Sequence, residues 1–313
     1  MAINNASLLN FSIHCYEVKI KAKEFFSIPY FPGSMLRGAF GVALKKVVCL
    51  YKKEQDCKGC LLKKSCVYRF LFETETQSLS ISNPPHPLML YPLSLGGKQM
   101  RKGSVYQFGF TLFGKAIDYL PYVVYAIMQM GKIGIGKGKG KFELVSIKKY
   151  ISEKQKKEVF FGQRLIPIDK ALEVKSIFKK KWKEKKLILE TITPLRLKVH
   201  GRLSDNISLK DIILAITRRL KVLSALYGEG EIDLLKGILI EEMLKDIKIT
   251  TDFKWQDFKR FSKRQDAYLH IGGVVGRMIL TGNLSLIYPL LKLGEYIHVG
   301  KNTAFGLGRY RLA

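Results

Sequence analysis

The sequence predicts an α+β protein in which one unit is used twice. Three observations predict it. Each half of the chain reads strand, helix, insertion, strand, helix, glycine loop, strand. The two glycine loops share a design, GKIGIGKGKGKFEL at 131–144 and GKNTAFGLGRYRLA at 300–313. The 313 residues, 47% of them hydrophobic, suffice for two cores of ordinary size.

In the first half, Leu8–Ile20 alternates as a strand, and PYFPG at 29–33 ends the loop after it. Ser34 is placed to cap a helix over about Met35–Val48, with Leu36, Ala39, Phe40, Ala43, Leu44 and Val47 on its core face. The proline-rich stretch Pro84–Pro92 reads as an extended loop. Val105–Phe113 reads as a strand, Ala116–Met130 as a helix with Pro121 in its first turns, and Phe142–Ile147 as the strand after the glycine loop.

The second half repeats this order. Leu187–Val199 is a strand interrupted by Pro194, and Ser208 caps a helix over Leu209–Tyr227 whose Ile212, Ile213, Ile216, Leu220 and Leu223 face a core. An aromatic and basic segment follows at Phe253–Arg264. Then come a strand at Ala267–Leu280 broken by Gly272-Gly273, a helix around Leu284–Leu293, and a last strand at Arg309–Leu312. A ferredoxin-like βαββαβ unit needs one further strand between its helices, and Phe72–Leu79 and Ile247–Phe253 are the segments available. The expectation is therefore two tandem ferredoxin-like, or RRM-like, domains: residues 1–150, with a cysteine-rich insertion at 49–66, and residues 187–313. The lysine-rich stretch 151–186 would connect them.

Lys and Arg number 54 against 26 Asp and Glu, a formal charge of +28. A solubilising surface of the thermophile kind would carry glutamate in step with lysine, and this one does not. The excess points to a polyanionic partner, nucleic acid ahead of an acidic membrane surface. The N-terminus lacks a basic start followed by an apolar run, and the most apolar helix is too short to span a bilayer, so a cytoplasmic protein with no membrane partner is expected.

Within the glycine loops, Lys132, Lys137, Lys139 and Lys141 interleave with five glycines, and Lys301, Arg309 and Arg311 with Gly300, Gly306 and Gly308. Glycine lets a backbone pass close to an anion with its N–H groups uncovered, so both loops are candidate phosphate cradles. Glycine serves turns and bulges equally well. Arg218, Arg219, Lys263 and Arg264 are further candidates for backbone contact with RNA.

Cys49, Cys57, Cys60 and Cys66 lie within eighteen residues, with one Cys-x-x-Cys pair. That spacing suits a structural tetrathiolate ion, zinc in the first instance, although an iron-sulfur cluster takes the same ligands. Charge and cysteines alone would also fit a zinc-containing DNA-binding protein. That class lacks a two-cysteine, two-histidine finger here and leaves the glycine loops without a purpose.

Leu-Arg-Gly-x-Phe-Gly at Leu36–Gly41, followed by the four cysteines, and Gly-Lys-x-Thr-x-Phe-Gly-x-Gly-Arg-Tyr at Gly300–Tyr310 together resemble a known family. It is the repeat-associated (RAMP) endoribonuclease branch that processes precursor CRISPR RNA. The resemblance implies two ferredoxin-like domains, binding of one CRISPR repeat and one cut per repeat without a metal. In that reaction the ribose 2′-OH attacks the adjacent phosphate, leaving a 2′,3′-cyclic phosphate and a 5′-OH. It also implies precursor crRNA and other CRISPR effector subunits as partners. The same superfamily contains RNA-holding subunits that cut nothing, and a silent subunit that binds guide RNA in an effector complex is the alternative.

Such chemistry needs a base, an acid and a cation. Many relatives place a catalytic histidine near the first helix, and Tyr30–Val48 contains none. Among the five histidines, His298 stands two residues before Gly300 and is the first candidate. Its competing role is closure of a helix end. Tyr30 as proton donor and Arg37 as phosphate clamp complete the expected site. His14, His86, His200 and His270 are ranked below His298.

Overall fold

The computed structural model describes residues 11–51, 57, 59–74, 84–153, 155–166, 168, 170–179, 182–235, 240–262 and 267–313. The α+β reading holds. The chain forms two units, Ser12–Leu172 and Glu173–Ala313 together with Phe11, each an antiparallel sheet with helices.

In the first unit the elements are β1 (Ser12–Ala22), β2 (Phe26–Ile28), α1 (Gly33–Val48), α2 (Val67–Phe72), β3 (Leu88–Pro92), β4 (Lys98–Met100), β5 (Val105–Phe113), α3 (Leu120–Ile133), β6 (Phe142–Tyr150), β7 (Lys156–Phe161), β8 (Arg164–Leu165) and β9 (Leu172–Glu173). The sheet runs β3-β5-β1-β6-β7-β8. β1 is central because Tyr16, Val18, Ile20 and Ala22 alternate on one face and bury together with Leu36, Phe40, Ala43 and Leu44 of α1 and Val123, Ile127 and Met130 of α3. α1 starts at Gly33 after Pro32, without a side-chain cap, so Ser34 lies inside the helix and does not cap it. The strand between the helices is β3, inside the proline-rich stretch expected to be a loop. Its two terminal prolines hide a run, Leu88 to Tyr91, that is buried on both faces and pairs with β5. Phe72 instead ends α2, and 75–79 lie outside the described residues.

The second unit contains α4 (Val174–Phe178), β10 (Lys186–Thr191), β11 (Lys198–Val199), β12 (Arg202–Leu203), α5 (Leu209–Tyr227), α6 (Ile240–Leu244), β13 (Ile247–Ser262), β14 (Ala267–Gly282), α7 (Tyr288–Ile297) and β15 (Tyr310–Leu312). Its sheet is ordered β13-β14-β10-β15. Pro194 limits β10 to the first half of the expected strand, while the expected Ile247–Phe253 strand extends to Ser262 and pairs with β14 throughout. Residues 151–186, the expected connector, include β7 and α4.

Ser208 caps α5 as expected. Its hydroxyl accepts from the Asp211 N–H at 3.2 Å, and the Asp211 carboxylate accepts from the Ser208 N–H at 2.9 Å. Ser208→Ala removes half of this reciprocal pair, and a loss of about 1 kcal/mol in denaturant unfolding is expected.

Candidate nucleic-acid surfaces

The terminal glycine loop is folded against its own unit. The Lys301 N–H donates to the Arg196 carbonyl at 2.8 Å, that of Gly308 to the Pro194 carbonyl at 2.8 Å, and that of Gly306 to the Thr303 carbonyl at 2.8 Å. The Arg309 N–H donates to the Thr193 hydroxyl at 2.9 Å, and that hydroxyl donates to the Gly306 carbonyl at 2.7 Å. These amides are committed internally, so the loop does not present them to a phosphate. The glycines serve close packing instead. A Cβ on Gly308, at φ +74°, would stand 1.8 Å from the Val299 carbonyl oxygen, and one on Gly300 2.4 Å from that of Arg196. What the loop offers outward is charge: Lys301 is exposed and Arg309 half-buried. Arg311 is exposed and pairs with Glu190 at 2.7 Å.

His298 is enclosed by this packing, at 1% exposure. It is the C-cap of α7, in the left-handed region at φ +57°, and its N–H donates to the Gly294 carbonyl. Burial holds its ring well below the usual imidazole range, and the nearby Arg309 and Arg219 guanidiniums lower it further. A neutral, enclosed ring closes the helix end and does not reach a ribose, so His298 is not carried into the proposed site. Arg219 lies on α5 and donates to the Ile297 carbonyl at 2.7 Å; burial lowers its guanidinium to about 10. Its neighbour Arg218 is exposed. Lys263 and Arg264 lie outside the described residues.

The other histidines differ in exposure. His14 is buried beside the Ser12 hydroxyl at 3.0 Å and pushed down to about 3, by burial and then by Lys149. His86 lies 3.3 Å from the Thr74 hydroxyl. The exposed rings are those of His200 and His270. His200 and Gly201, at φ +49° and +82°, form the two-residue tip of the β11–β12 hairpin, where Lys198 and Arg202 are also exposed. The signal for this was His-Gly between short basic segments.

In the first unit, Arg37 is buried. Its guanidinium donates to the Phe72 carbonyl at 3.0 Å and lies 4.1 Å from the centre of the Phe72 ring, which ties α1 to α2. It therefore acts as a packing residue and not as a phosphate clamp. Tyr30 is 51% exposed, and its carbonyl accepts from the Gly96 N–H.

Beside Tyr30, β2 pairs with β4 on one side and with the first glycine loop on the other. Ser27 is opposite Gln99 and exchanges backbone hydrogen bonds with Lys137 at 2.9 and 3.1 Å. Here too the glycines are steric: a Cβ on Gly136 would lie 2.4 Å from the Ser27 carbonyl oxygen. The result is a narrow ledge with Phe25, 54% exposed, before β2, Tyr30 after it, and exposed Lys98, Gln99, Lys137 and Lys139 along its sides. Exposed aromatics interleaved with lysines suit stacking on single-stranded bases with phosphates alongside. Tyr30, Lys137 and Lys139 are candidates from the sequence that stand here on one ledge, and Phe25, Lys98 and Gln99 join them through the pairing of β2, which no local pattern announces.

Cys49, Cys57, Cys60 and Cys66 are free thiols, and Cys49 and Cys66 are among the groups that act electrostatically on Cys57. The Cys49 thiol donates to the Tyr51 carbonyl at 3.3 Å, and burial, then Glu73, raises the Cys57 thiol. Among the described residues no group of three or more His, Cys, Asp or Glu side chains stands close enough to hold a metal ion. The expected tetrathiolate site is therefore not shown among the described residues. No helix among the described residues is long and apolar enough to cross a membrane.

Residues 11–171, just over half the chain, match the AF_1859_N family model, described as an N-terminal domain. Residues 189–310, which contain both long strands and the terminal glycine loop, match the model of the CRISPR-associated endoribonuclease Cas6. The chain belongs to the AF_1859_N family and is a CRISPR-associated Cas6-like protein. An uncharacterized protein of Archaeoglobus fulgidus is 29% identical over 302 residues, which is 94% of this Cas6-like chain and 96% of the relative. A Cas6 product complex superposes at TM-score 0.57 with 14% identity, covering 96% of this chain and 100% of that one. Thermus thermophilus Cas6 follows at 0.56 and 12%, covering 97% and 99%. A partial Cas6-RT-Cas1-Cas2 complex matches at 0.60 and 12%, covering 97% of this chain and 46% of that one. At these identities the likeness is one of fold.

Two outcomes are expected. Lys137→Ala with Lys139→Ala lowers the salt slope of single-stranded RNA binding by roughly 1.4, two phosphates' worth, with secondary structure unchanged by circular dichroism. In the unfolded chain His298 takes up a proton near pH 6.5 and in the folded one it does not, so the unfolded state binds more protons below that pH and stability falls on acidification. Thermal melts between pH 7 and pH 5 should show this fall. His298→Asn, which tolerates positive φ and carries no proton, should flatten it, leaving the contribution of His14.

Proposed function

We propose that this Cas6-like chain binds CRISPR repeat RNA and cleaves precursor crRNA once per repeat. The match of residues 189–310 to the Cas6 endoribonuclease carries the proposal. Both units are read as ferredoxin-like: β6-β1-β5-β3 and β15-β10-β14-β13 repeat one order, with a helix after the first and third strands of each set. The charge of +28 and the aromatic-basic ledge agree with an RNA ligand.

The proposed cut needs no metal. The 2′-oxygen forms a bond to phosphorus as its proton passes to a base, and the bond from phosphorus to the 5′-oxygen breaks as that oxygen takes a proton. The products are a 2′,3′-cyclic phosphate and a 5′-OH. His200 and His270 are the exposed imidazoles able to act as base or acid, and Tyr30 is an exposed phenol able to donate a proton. Lysines of the kind that line the ledge would offset charge on the phosphorane.

Labelled repeat RNA incubated with the protein in EDTA should be cut once, and a single 2′-deoxy sugar at the cut should abolish it. His200→Ala or His270→Ala should slow the cut about 10²- to 10⁴-fold with affinity retained if that ring carries the proton. Tight binding of the chain's own repeats without any cut would refute the nuclease reading and favour the silent guide-holding subunit.

A further inference from the structure

Among the described residues β13 is the edge of its sheet, and its pairing with β14 runs unbroken from Ile247 opposite Gly282 to Ser262 opposite Ala267. It contains no proline and no bulge, and every residue from Lys248 to Asp252 is exposed, Ile249 by 42%. Such an unbulged, β-branched edge is a template for another strand. The direction of its free groups follows from the interior. Leu195 and Val274 exchange backbone hydrogen bonds at 2.9 and 2.8 Å, so even-numbered residues of β14 aim their peptide groups away from β13 and odd-numbered ones toward it. Through the register, Lys248, Thr250 and Asp252 are tied to β14, and Ile247, Ile249, Thr251 and Phe253 aim their N–H and C=O groups outward.

We propose that this edge pairs with the same edge of a second copy, antiparallel about a two-fold axis at Thr250. The outward groups then meet as hydrogen-bonded pairs, Ile249 with Thr251 and Ile247 with Phe253, each repeated by the axis, giving about eight backbone bonds. Between them Lys248 faces Asp252 and Asp246 faces Lys254, so each of these four charges meets its opposite. The neighbouring registers of the same parity do worse. One sets Asp246 against Asp252, and the other sets Lys248 against Lys254. A strand whose sequence satisfies itself in one register, on a chain of +28 that otherwise repels its own copies, fits a second copy better than an unrelated strand.

Sedimentation equilibrium of the full chain should show a dimer dissociating on dilution. Thr250 stands opposite its own copy at the close, non-hydrogen-bonded spacing. Thr250→Cys should therefore form an oxidised, reducible dimer, while Asp252→Cys and the native cysteines should not. Asp252→Lys should weaken dimerisation by at least about tenfold, and Lys248→Asp with Asp252→Lys should restore it. A monomer at about 100 µM would overturn the proposal and leave the edge to a strand of another protein. A dimer indifferent to Asp252→Lys and uncrosslinked through Thr250→Cys would overturn it equally.

Discussion

The second unit depends on one irregular segment, Thr193 to Arg196, held between two neighbours. Pro194 ends the regular strand, yet the chain does not leave the sheet. Leu195 resumes pairing with Val274, and the Arg196 side chain reaches the Gly272 carbonyl at 2.6 Å. On its other flank the same segment receives the amides of Lys301 and Gly308. Backbone lies against backbone on both sides, which is why glycine occupies both. A Cβ on Gly273 would stand 2.4 Å from the Leu195 carbonyl oxygen, as one on Gly300 would from that of Arg196. The glycine-rich signature is thus the footprint of a seam whose hydrogen bonds are internal, and it accounts for the burial of His298 beneath the loop.

Charge is organised separately from that seam. The cations that remain outside, Lys137, Lys139, Arg218 and Lys301, sit at the margins of packed elements, while Arg37 and Arg219 turn inward and spend their donors on carbonyls that close helix ends. A residue type that suggests phosphate recognition in a sequence is therefore split by packing into two roles. Burial decides which role each one has.

Much of the fold was legible because it rests on periodicity. The faces of α1 and α5, the cap at Ser208 and the strand at Val105–Phe113 all follow from residues a few positions apart. β3 was hidden because its bounding prolines read as loop punctuation, although the four residues between them are buried on both faces. The site was less legible, for a related reason. Exposure of a histidine depends on what the chain brings over it, and no local pattern distinguishes His298, under a loop anchored a hundred residues away, from His200 at an open hairpin tip. The ledge is a similar case, since Phe25, Gln99 and Lys137 become neighbours only through the pairing of β2.

The seam also shapes how variation in this gene would be read. Because Gly273, Gly300 and Gly308 are required by steric closeness, replacing any of them would reduce the amount of folded protein before it altered any contact with RNA. A cell-based selection for lost function would collect these positions in abundance, through proteolytic turnover of poorly folded chains. Those positions would trace the assembly of the sheet, and the RNA path would emerge only from the variants that accumulate to normal levels.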